Sequence, residues 1–178
     1  PDARDYVVAA GGELAELDGG TEPDVVVVAH SGPYDWKSTL EDLLTLFTRR
    51  YRQGNPIRLV LPNPDFLYQS GPSAFKYGAA AFVELLERAL LRLHGPDEAL
   101  TADRLGKPHA PIFEEAIRRA RTDNAVMIGD QLETDILGAN GVGIASAIVA
   151  TGINRLTQPE EFDEVAEKLT PGYILASL

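Results

Sequence analysis

Apolar and amphipathic segments alternate from the start of the chain. The run DVVVVAH at 24–30 is continuous and rich in β-branched residues, which is typical of a buried parallel strand. The segment 34–52 then repeats apolar residues at helical spacing behind Asp35, a residue type that caps helix N-termini. The first third of the chain therefore predicts a buried strand followed by a long amphipathic helix.

The same alternation continues to the end of the sequence. Further strands are predicted at 57–65, 124–130, 143–153 and 173–178, further helices at 74–93, 109–120, 133–140 and 158–169, and a loop at 66–73. The strand at 124–130 (NAVMIGD) is apolar enough to be predicted as buried. Alternating strands and helices predict an α/β fold with parallel strands. A polar stretch with Gly95-Pro96 separates two α/β halves, which we place at about residues 1–100 and 101–178.

The amino-acid composition limits the classes of binding partner and the cellular location that we expect for this chain. The formal net charge of -11 disfavours a nucleic acid or an anionic membrane as partner, because like charges repel. The absence of cysteine excludes zinc–thiolate sites and cysteine nucleophiles. No apolar run approaches the roughly 20 residues that span a bilayer. A cytoplasmic location is therefore expected.

The first candidate for chemistry is the stretch MIGDQLETD at 127–135. Asp130 ends a predicted strand, and Gly129 permits close approach of backbone or ligand. Asp135 begins the next predicted helix, so both carboxylates can face one cleft at the carboxyl end of the sheet. Hard oxygen ligands of this kind suit Mg²⁺. Simple turn chemistry at Asp130 and a helix cap at Asp135 explain the same residues without a metal, so this stretch alone leaves both interpretations open.

Two further motifs carry polar groups that can serve a site. In LGKPHAP, Lys107 lies between a turn glycine and a proline, where its ammonium can reach a phosphate oxygen, although for this motif in isolation an ordinary surface lysine is the better explanation. In LPNPD, Asn63 and Asp65 end the strand predicted at 57–65. Turn chemistry is sufficient to explain these two residues by themselves.

Taken together and in this order, LPNPD, GKP, IGDQLETDILGANGVG and AIVATGI resemble the haloacid dehalogenase (HAD) superfamily, in its NagD-like or p-nitrophenylphosphatase-like branch. GKP is similar to the third motif of that family, and Gly-Asp-x-x-x-Thr-Asp to the fourth. The resemblance covers essentially the whole chain. It implies that residues 101–178 are the C-terminal half of a Rossmann-like HAD core and that residues 1–100 are an α/β (C2-type) cap domain.

The resemblance implies a Mg²⁺-dependent phosphatase that hydrolyses a small phosphate monoester through an aspartyl-phosphate intermediate. Lys107 would bind the transferring phosphoryl group and hold the nucleophile in place. Asp130 would be a magnesium ligand, directly or through water, and Asp135 would support it. Asn63 and Asp65 would lie at the end of a cap strand and help to bind the substrate.

The sequence departs from the family pattern in its first two motifs. An Asp-x-Asp-Gly that supplies nucleophile and acid/base is not found, and neither is the phosphate-binding Ser or Thr of the second motif. ELDGG at 16–20 lacks the paired aspartate and the preceding strand. We therefore expect a piece of a phosphatase that is inactive by itself, with a non-catalytic binding or scaffold protein as the alternative. A core sheet without its central strands exposes an apolar edge, so aggregation or a homodimer is also expected.

Overall fold

The computed structural model describes residues 3–16, 22–30, 32, 35–71, 73–150 and 167–177. The chain divides into two compact units, Pro1–Arg104 and Leu105–Leu178. Each unit contains a three-stranded parallel sheet together with helices, which confirms the predicted α/β fold. Within the described ranges, no helix combines the length and the apolar character that crossing a membrane requires.

The first unit is built on a parallel sheet and two long helices. Its elements are α1 (Ala3–Ala9), β1 (Val25–Val27), α2 (Trp36–Arg52), β2 (Arg58–Leu61), β3 (Leu67–Gly71), β4 (Ala74–Tyr77), α3 (Ala79–His94) and β5 (Ala102–Arg104). The parallel strands have the order β1-β2-β5, with Val26 opposite Leu59 and Leu59 opposite Ala102. The core is apolar and comes from both helices and from β2; it consists of Leu43, Leu46, Phe47, Ile57, Leu59, Leu61, Ala79, Ala80, Val83, Leu86, Leu90 and Leu100.

Helix α2 forms as the sequence predicts. The Asp35 side chain caps it by accepting a hydrogen bond from the Ser38 amide at 3.3 Å, which satisfies one of the free donors of the first turn. Leu43, Leu46 and Phe47 are buried on one face because residues three and four apart share a side of a helix. The predicted cap and the predicted helix are both confirmed.

A partly buried ion pair links helix α3 to strand β5 in this unit. Glu87 on α3 accepts hydrogen bonds from the Ala102 amide at 2.6 Å and from the Arg104 guanidinium at 2.6 and 3.0 Å. These bonds to Glu87 hold the pKa of Arg104 above its usual value. The two side chains therefore tie α3 to β5 by charge-assisted hydrogen bonds, which are stronger than neutral ones.

The predicted loop at 66–73 and the predicted start of the next helix at 74 are wrong. Strands β3 and β4 form an antiparallel hairpin, and α3 begins only at Ala79. Aromatic residues favour extended pairing, and the Phe66 and Tyr77 rings meet edge to face with centroids 6.4 Å apart. Gly78 closes the hairpin against the Asp65 carbonyl, where any side chain would collide. Cross-strand pairing therefore overrides the helical propensity of the segment.

Two strands predicted as buried lie at sheet edges. In β1, Val25 and Val27 are 47% and 42% exposed. In β6 (Val126–Gly129) of the second unit, Val126 and Ile128 are 49% and 41% exposed. A continuous apolar run does not distinguish a central strand from an edge strand with one uncovered face, which explains this error.

The second unit has its own parallel sheet. Its elements are α4 (Ala110–Ala120), β6 (Val126–Gly129), a π-helical turn (Leu132–Ile136), α5 (Leu137–Gly141), β7 (Ala145–Val149), a 3₁₀ turn (Glu167–Leu169) and β8 (Tyr173–Leu175). The strands have the order β6-β7-β8. Pro111 lies in the first turn of α4 as predicted. Most of the helix predicted at 158–169 falls outside the described residues, as does the end of the strand predicted at 143–153.

Candidate active site

Lys107 lies in a short turn that leads into α4. The His109 amide donates to the Gly106 carbonyl at 3.0 Å, and the Ile112 amide donates to the Leu105 carbonyl at 3.1 Å. Gly106 is buried, whereas the Lys107 side chain is 37% exposed. The turn therefore fixes the backbone of the lysine and leaves its ammonium accessible to solvent and ligands.

Asp135 is the partner of this lysine. Its Oδ1 atom lies 2.6 Å from Lys107 Nζ, and its Oδ2 atom accepts hydrogen bonds from the amides of Asp130 and Gln131 at 3.0 and 3.2 Å. The carboxylate is 2% exposed, so an uncompensated negative charge would be costly there. Both oxygens are engaged, one with a cation and one with two backbone donors. Asp135 therefore joins the lysine turn to the loop that follows β6.

Gly129 makes room for this carboxylate. A Cβ atom at residue 129 would overlap Oδ2, Cγ and Cβ of Asp135. The glycine is required for space, since its φ angle is not positive. The pair Gly129-Asp130 therefore combines two functions, because the glycine admits the buried Asp135 and the next residue presents a carboxylate at the strand end.

We expect Gly129→Ala to displace Asp135 and to lower the free energy of unfolding by roughly 1–3 kcal/mol, the range for forced overpacking. Gly141→Ala is the matched control, because no atom lies within 4 Å of a Cβ atom built there. Urea unfolding followed by circular dichroism compares the two variants. Equal stability of Gly129→Ala and wild type would show that the Asp135 carboxylate does not occupy this position.

Asp130 is the carboxylate that remains available for a ligand. Its side chain is half-buried at the carboxyl end of β6. Among the residues that the structure describes, its carboxylate oxygens have no hydrogen-bond or ion-pair partner. Such an oxygen donor fits Mg²⁺, which usually takes one or two carboxylates and completes its shell with water and substrate oxygens. Asp135 does not fit as a direct ligand, because its two oxygens are already engaged.

The described residues do not form a complete metal cage. Within them, no group of three or more His, Cys, Asp or Glu residues is arranged to hold a metal ion. This chain would therefore contribute Asp130 as one ligand and leave the remaining positions to water, substrate or other protein groups.

Asn63 and Asp65 lie in the first unit, in the segment after β2. Asn63 is exposed and Asp65 is half-buried. The Asp65 carbonyl accepts a hydrogen bond from the Ala80 amide at 3.3 Å, which ties this segment to the start of α3. Strand β2 ends at Leu61, earlier than predicted, because the prolines at 62 and 64 have no amide donor for a sheet. The role of these two residues in substrate binding stays a prediction.

Asn140 was not identified from the sequence. Its amide donates to the carbonyls of Lys168 and Thr170, each at 3.0 Å, and its Oδ1 accepts from the buried Ser146 hydroxyl at 2.9 Å. The Ser146 hydroxyl in turn accepts from the Gly172 amide at 3.2 Å. These bonds hold the segment before β8 against β7. The sequence signal for this contact is the position of Asn140 in a predicted helix, because asparagine is unfavourable inside helices unless its side chain finds a hydrogen-bond partner.

Comparison with known proteins gives three related findings. The family model of HAD-hydrolase-like proteins matches residues 104–178. The D-glycerol 3-phosphate phosphatase of Mycobacterium tuberculosis is 37% identical over 73 residues, which are 41% of this chain and 21% of that protein. The chain spans between 21% and 51% of the length of the first three curated relatives that it matches.

Solved structures extend the similarity to almost the whole chain. The glycerol phosphate phosphatase of M. tuberculosis in complex with calcium superposes with a TM-score of 0.72 at 27% identity, covering 96% of this chain and 45% of that one. Its complex with magnesium gives a TM-score of 0.68 at 26% identity, with 96% and 46% covered. The p-nitrophenyl phosphatase of Archaeoglobus fulgidus shares the fold with a TM-score of 0.70 at 23% identity, covering 98% of this chain and 60% of that one.

Proposed function

Because this chain belongs to the HAD superfamily, in its NagD-like or p-nitrophenylphosphatase-like branch, we propose that it is part of a Mg²⁺-dependent phosphatase for small phosphate monoesters. The observation that carries the proposal is the contact between Lys107 and Asp135 beside the strand-end carboxylate of Asp130. This contact brings the Gly-Lys-Pro motif and the Gly-Asp-x-x-x-Thr-Asp motif together. A cation and a hard oxygen ligand together are what a charged phosphoryl group requires.

Lys107 is suited to bind a phosphoryl oxygen. Its ammonium has three N–H donors, and Asp135 is the acceptor for one of them, which leaves donors for a ligand. Asp135 neutralises the charge of the lysine when no phosphate is bound and limits the positions that the ammonium can adopt. Asp135 is therefore a positioning residue, and Lys107 is the residue that would contact the substrate.

Asp130 would hold the metal ion. Its amide is fixed by Asp135, so the same buried carboxylate orients the lysine on one side and the metal-binding residue on the other. Magnesium, when bound, would neutralise charge on the phosphoryl oxygens. We assign the nucleophilic aspartate to a part of the active protein outside these 178 residues, because no Asp-x-Asp occurs in them.

The name of one relative supports a substrate class for this proposal. The M. tuberculosis relative is named for D-glycerol 3-phosphate. We infer a small monoester such as a three-carbon phosphate as the substrate. The test is phosphate release from glycerol 3-phosphate and p-nitrophenyl phosphate by the natural protein that contains this chain, with Mg²⁺ and with EDTA. Release that EDTA leaves unchanged would contradict the metal assignment.

A non-catalytic binding or scaffold protein is the second candidate. The specific observation in its favour is the missing Asp-x-Asp. The two candidates make different predictions for the natural protein. The phosphatase releases phosphate in repeated turnovers, whereas the scaffold binds Mg²⁺ and a phosphate ester in calorimetry without hydrolysing the ester.

A further inference from the structure

Helix α5 ends on an asparagine–glycine pair, Asn140 and Gly141. Asn140 is the one asparagine of the sequence that a glycine follows. Glycine has no side chain to hinder an approach to its backbone nitrogen, and it gives the chain around that nitrogen the greatest conformational freedom. The Gly141 nitrogen is therefore a nucleophile that can reach the side-chain amide carbon (Cγ) of Asn140 once this end of the helix opens.

The fold does not require a glycine at residue 141. Its φ angle is not positive, and open space surrounds a Cβ atom built there. An alanine would fit and would favour the helix more strongly. Gly129 differs in this respect, because a Cβ atom there would overlap Asp135. The feature that glycine adds at residue 141 is therefore chemical reactivity next to an asparagine.

The folded state restrains the side chain that would react. Asn140 Nδ2 donates to the carbonyls of Lys168 and Thr170, each at 3.0 Å, and Oδ1 accepts from the Ser146 hydroxyl at 2.9 Å. A helical backbone also directs each side chain outwards, whereas the next amide nitrogen points along the helix axis. Attack by the Gly141 nitrogen on Cγ therefore requires local opening of this end of α5.

We propose that Asn140 is a site of spontaneous deamidation, which the closed fold suppresses and local opening permits. The deprotonated Gly141 nitrogen forms a bond to Cγ of Asn140. The bond from Cγ to the side-chain nitrogen then breaks, and that nitrogen takes a proton from water and leaves as ammonia. Water opens the resulting five-membered succinimide ring at either carbonyl, which gives aspartate or isoaspartate at residue 140. Water is the only co-reactant.

The product cannot restore the contacts of the asparagine. A carboxylate has no N–H to donate, and it would place negative charge against the carbonyl oxygens of Lys168 and Thr170. Only the hydrogen bond from Ser146 could form again. The segment before β8 would lose both hydrogen bonds that tie it to α5, so a transient opening of the second unit becomes permanent. This inference is independent of the phosphatase activity proposed above.

Peptide mapping by mass spectrometry tests the reaction in the natural protein after incubation in mildly alkaline buffer. We expect aspartate and isoaspartate to accumulate at Asn140. In guanidinium chloride the conversion should be at least about 10-fold faster than in the folded protein, because opening no longer limits it. Asn124, which an alanine follows, is the internal control and should convert far more slowly in the unfolded protein. An Asn140 that stays intact when unfolded would overturn the proposal, and so would equal rates in the folded and unfolded protein.

Gly141→Ala separates the chemistry from the fold. This variant keeps the Asn140 side chain and fits the available space, so its unfolding transition should match that of the wild type or lie at higher denaturant. Conversion of Asn140 in the unfolded variant should be at least about 10-fold slower than in the unfolded wild type, because the new methyl group hinders the attack and restricts the backbone. An unchanged rate would show that the Gly141 nitrogen is not the nucleophile.

Asn140→Asp reproduces one product and tests its consequence. Hydrogen exchange of the peptide that contains β8 should become at least about 10-fold faster in this variant, because two carbonyls lose their donor and face a like charge. Asn124→Asp is the matched control, since Asn124 is an exposed asparagine of the same unit. Equal exchange in the two variants would contradict the proposal that deamidation leaves the segment before β8 open.

Discussion

We expect Lys107→Ala to lower turnover of p-nitrophenyl phosphate by the natural protein by about 10³-fold, the effect of removing one preorganised donor from a charged transition state. The loss should fall mainly on kcat, because charge on the transferring phosphoryl group is greatest in the transition state. The structural reason is that the lysine has donors to spare for a phosphoryl oxygen and is held in place by Asp135 at 2.6 Å. Phosphate release under saturating substrate measures the effect.

The effect of Lys107→Ala on protein stability must be distinguished from its effect on catalysis. Lys107→Ala leaves the buried Asp135 carboxylate with its two backbone donors but without its cation. Circular dichroism should therefore show a folded protein with moderately reduced stability. Lys168→Ala is the control, because Lys168 is an exposed lysine of the same unit. If Lys107→Ala turns over as fast as Lys168→Ala, the lysine does not contact the substrate.

The second large effect is expected for Asp135→Ala. This substitution removes the ion pair with Lys107 and leaves the amides of Asp130 and Gln131 without their acceptor. We expect the free energy of unfolding to fall by about 1–3 kcal/mol, since buried amide donors that lose their acceptor are costly, whereas the lost pair with the partly exposed lysine adds little because solvent screens it. Urea unfolding measures this loss, and Asp123→Ala, at an exposed aspartate before β6, is the control.

Asp135→Asn separates the two roles of this carboxylate. The asparagine carbonyl can still accept from the two amides, whereas its NH₂ group cannot pair with an ammonium. We therefore expect Asp135→Asn to regain much of the stability that alanine loses while activity stays low. If Asp135→Asn loses neither stability nor activity, Asp135 does not position Lys107.

The α/β order of the chain could be predicted because buried strands and amphipathic helices differ in apolar period. The hairpin of β3 and β4 could not, since its side chains are largely exposed and the pairing depends on contacts such as that of Gly78 with the Asp65 carbonyl. The exposure of β1 and β6 could not be predicted either, because an apolar run looks the same in a strand at the centre of a sheet and in a strand at its edge. Edge position depends on strand order, which local sequence does not contain.

The sequence predicts which residues form the candidate site, but it predicts only part of the contacts between them. The motifs identify Lys107, Asp130 and Asp135 as chemically interesting, and they place both aspartates next to one strand. That Asp135 contacts Lys107 rather than a metal depends on a contact across 28 residues of sequence. The space that Gly129 leaves for the carboxylate is likewise visible only in three dimensions. The sequence alone therefore could not show that Asp135 contacts Lys107 while Asp130 stays available for a metal ion.

The role of Asp130 as a magnesium ligand is best tested by a Mg²⁺ titration of phosphate release by the natural protein and by its Asp130→Asn variant. We expect Mg²⁺-dependent hydrolysis by the wild type and a loss of at least about 100-fold in the variant, because a neutral amide is a much poorer magnesium ligand than a carboxylate. Raising the Mg²⁺ concentration should not restore full turnover. Equal turnover and equal Mg²⁺ dependence in both proteins would show that Asp130 does not bind the magnesium ion. A wild type that hydrolyses no phosphate ester would show that the protein is not a phosphatase.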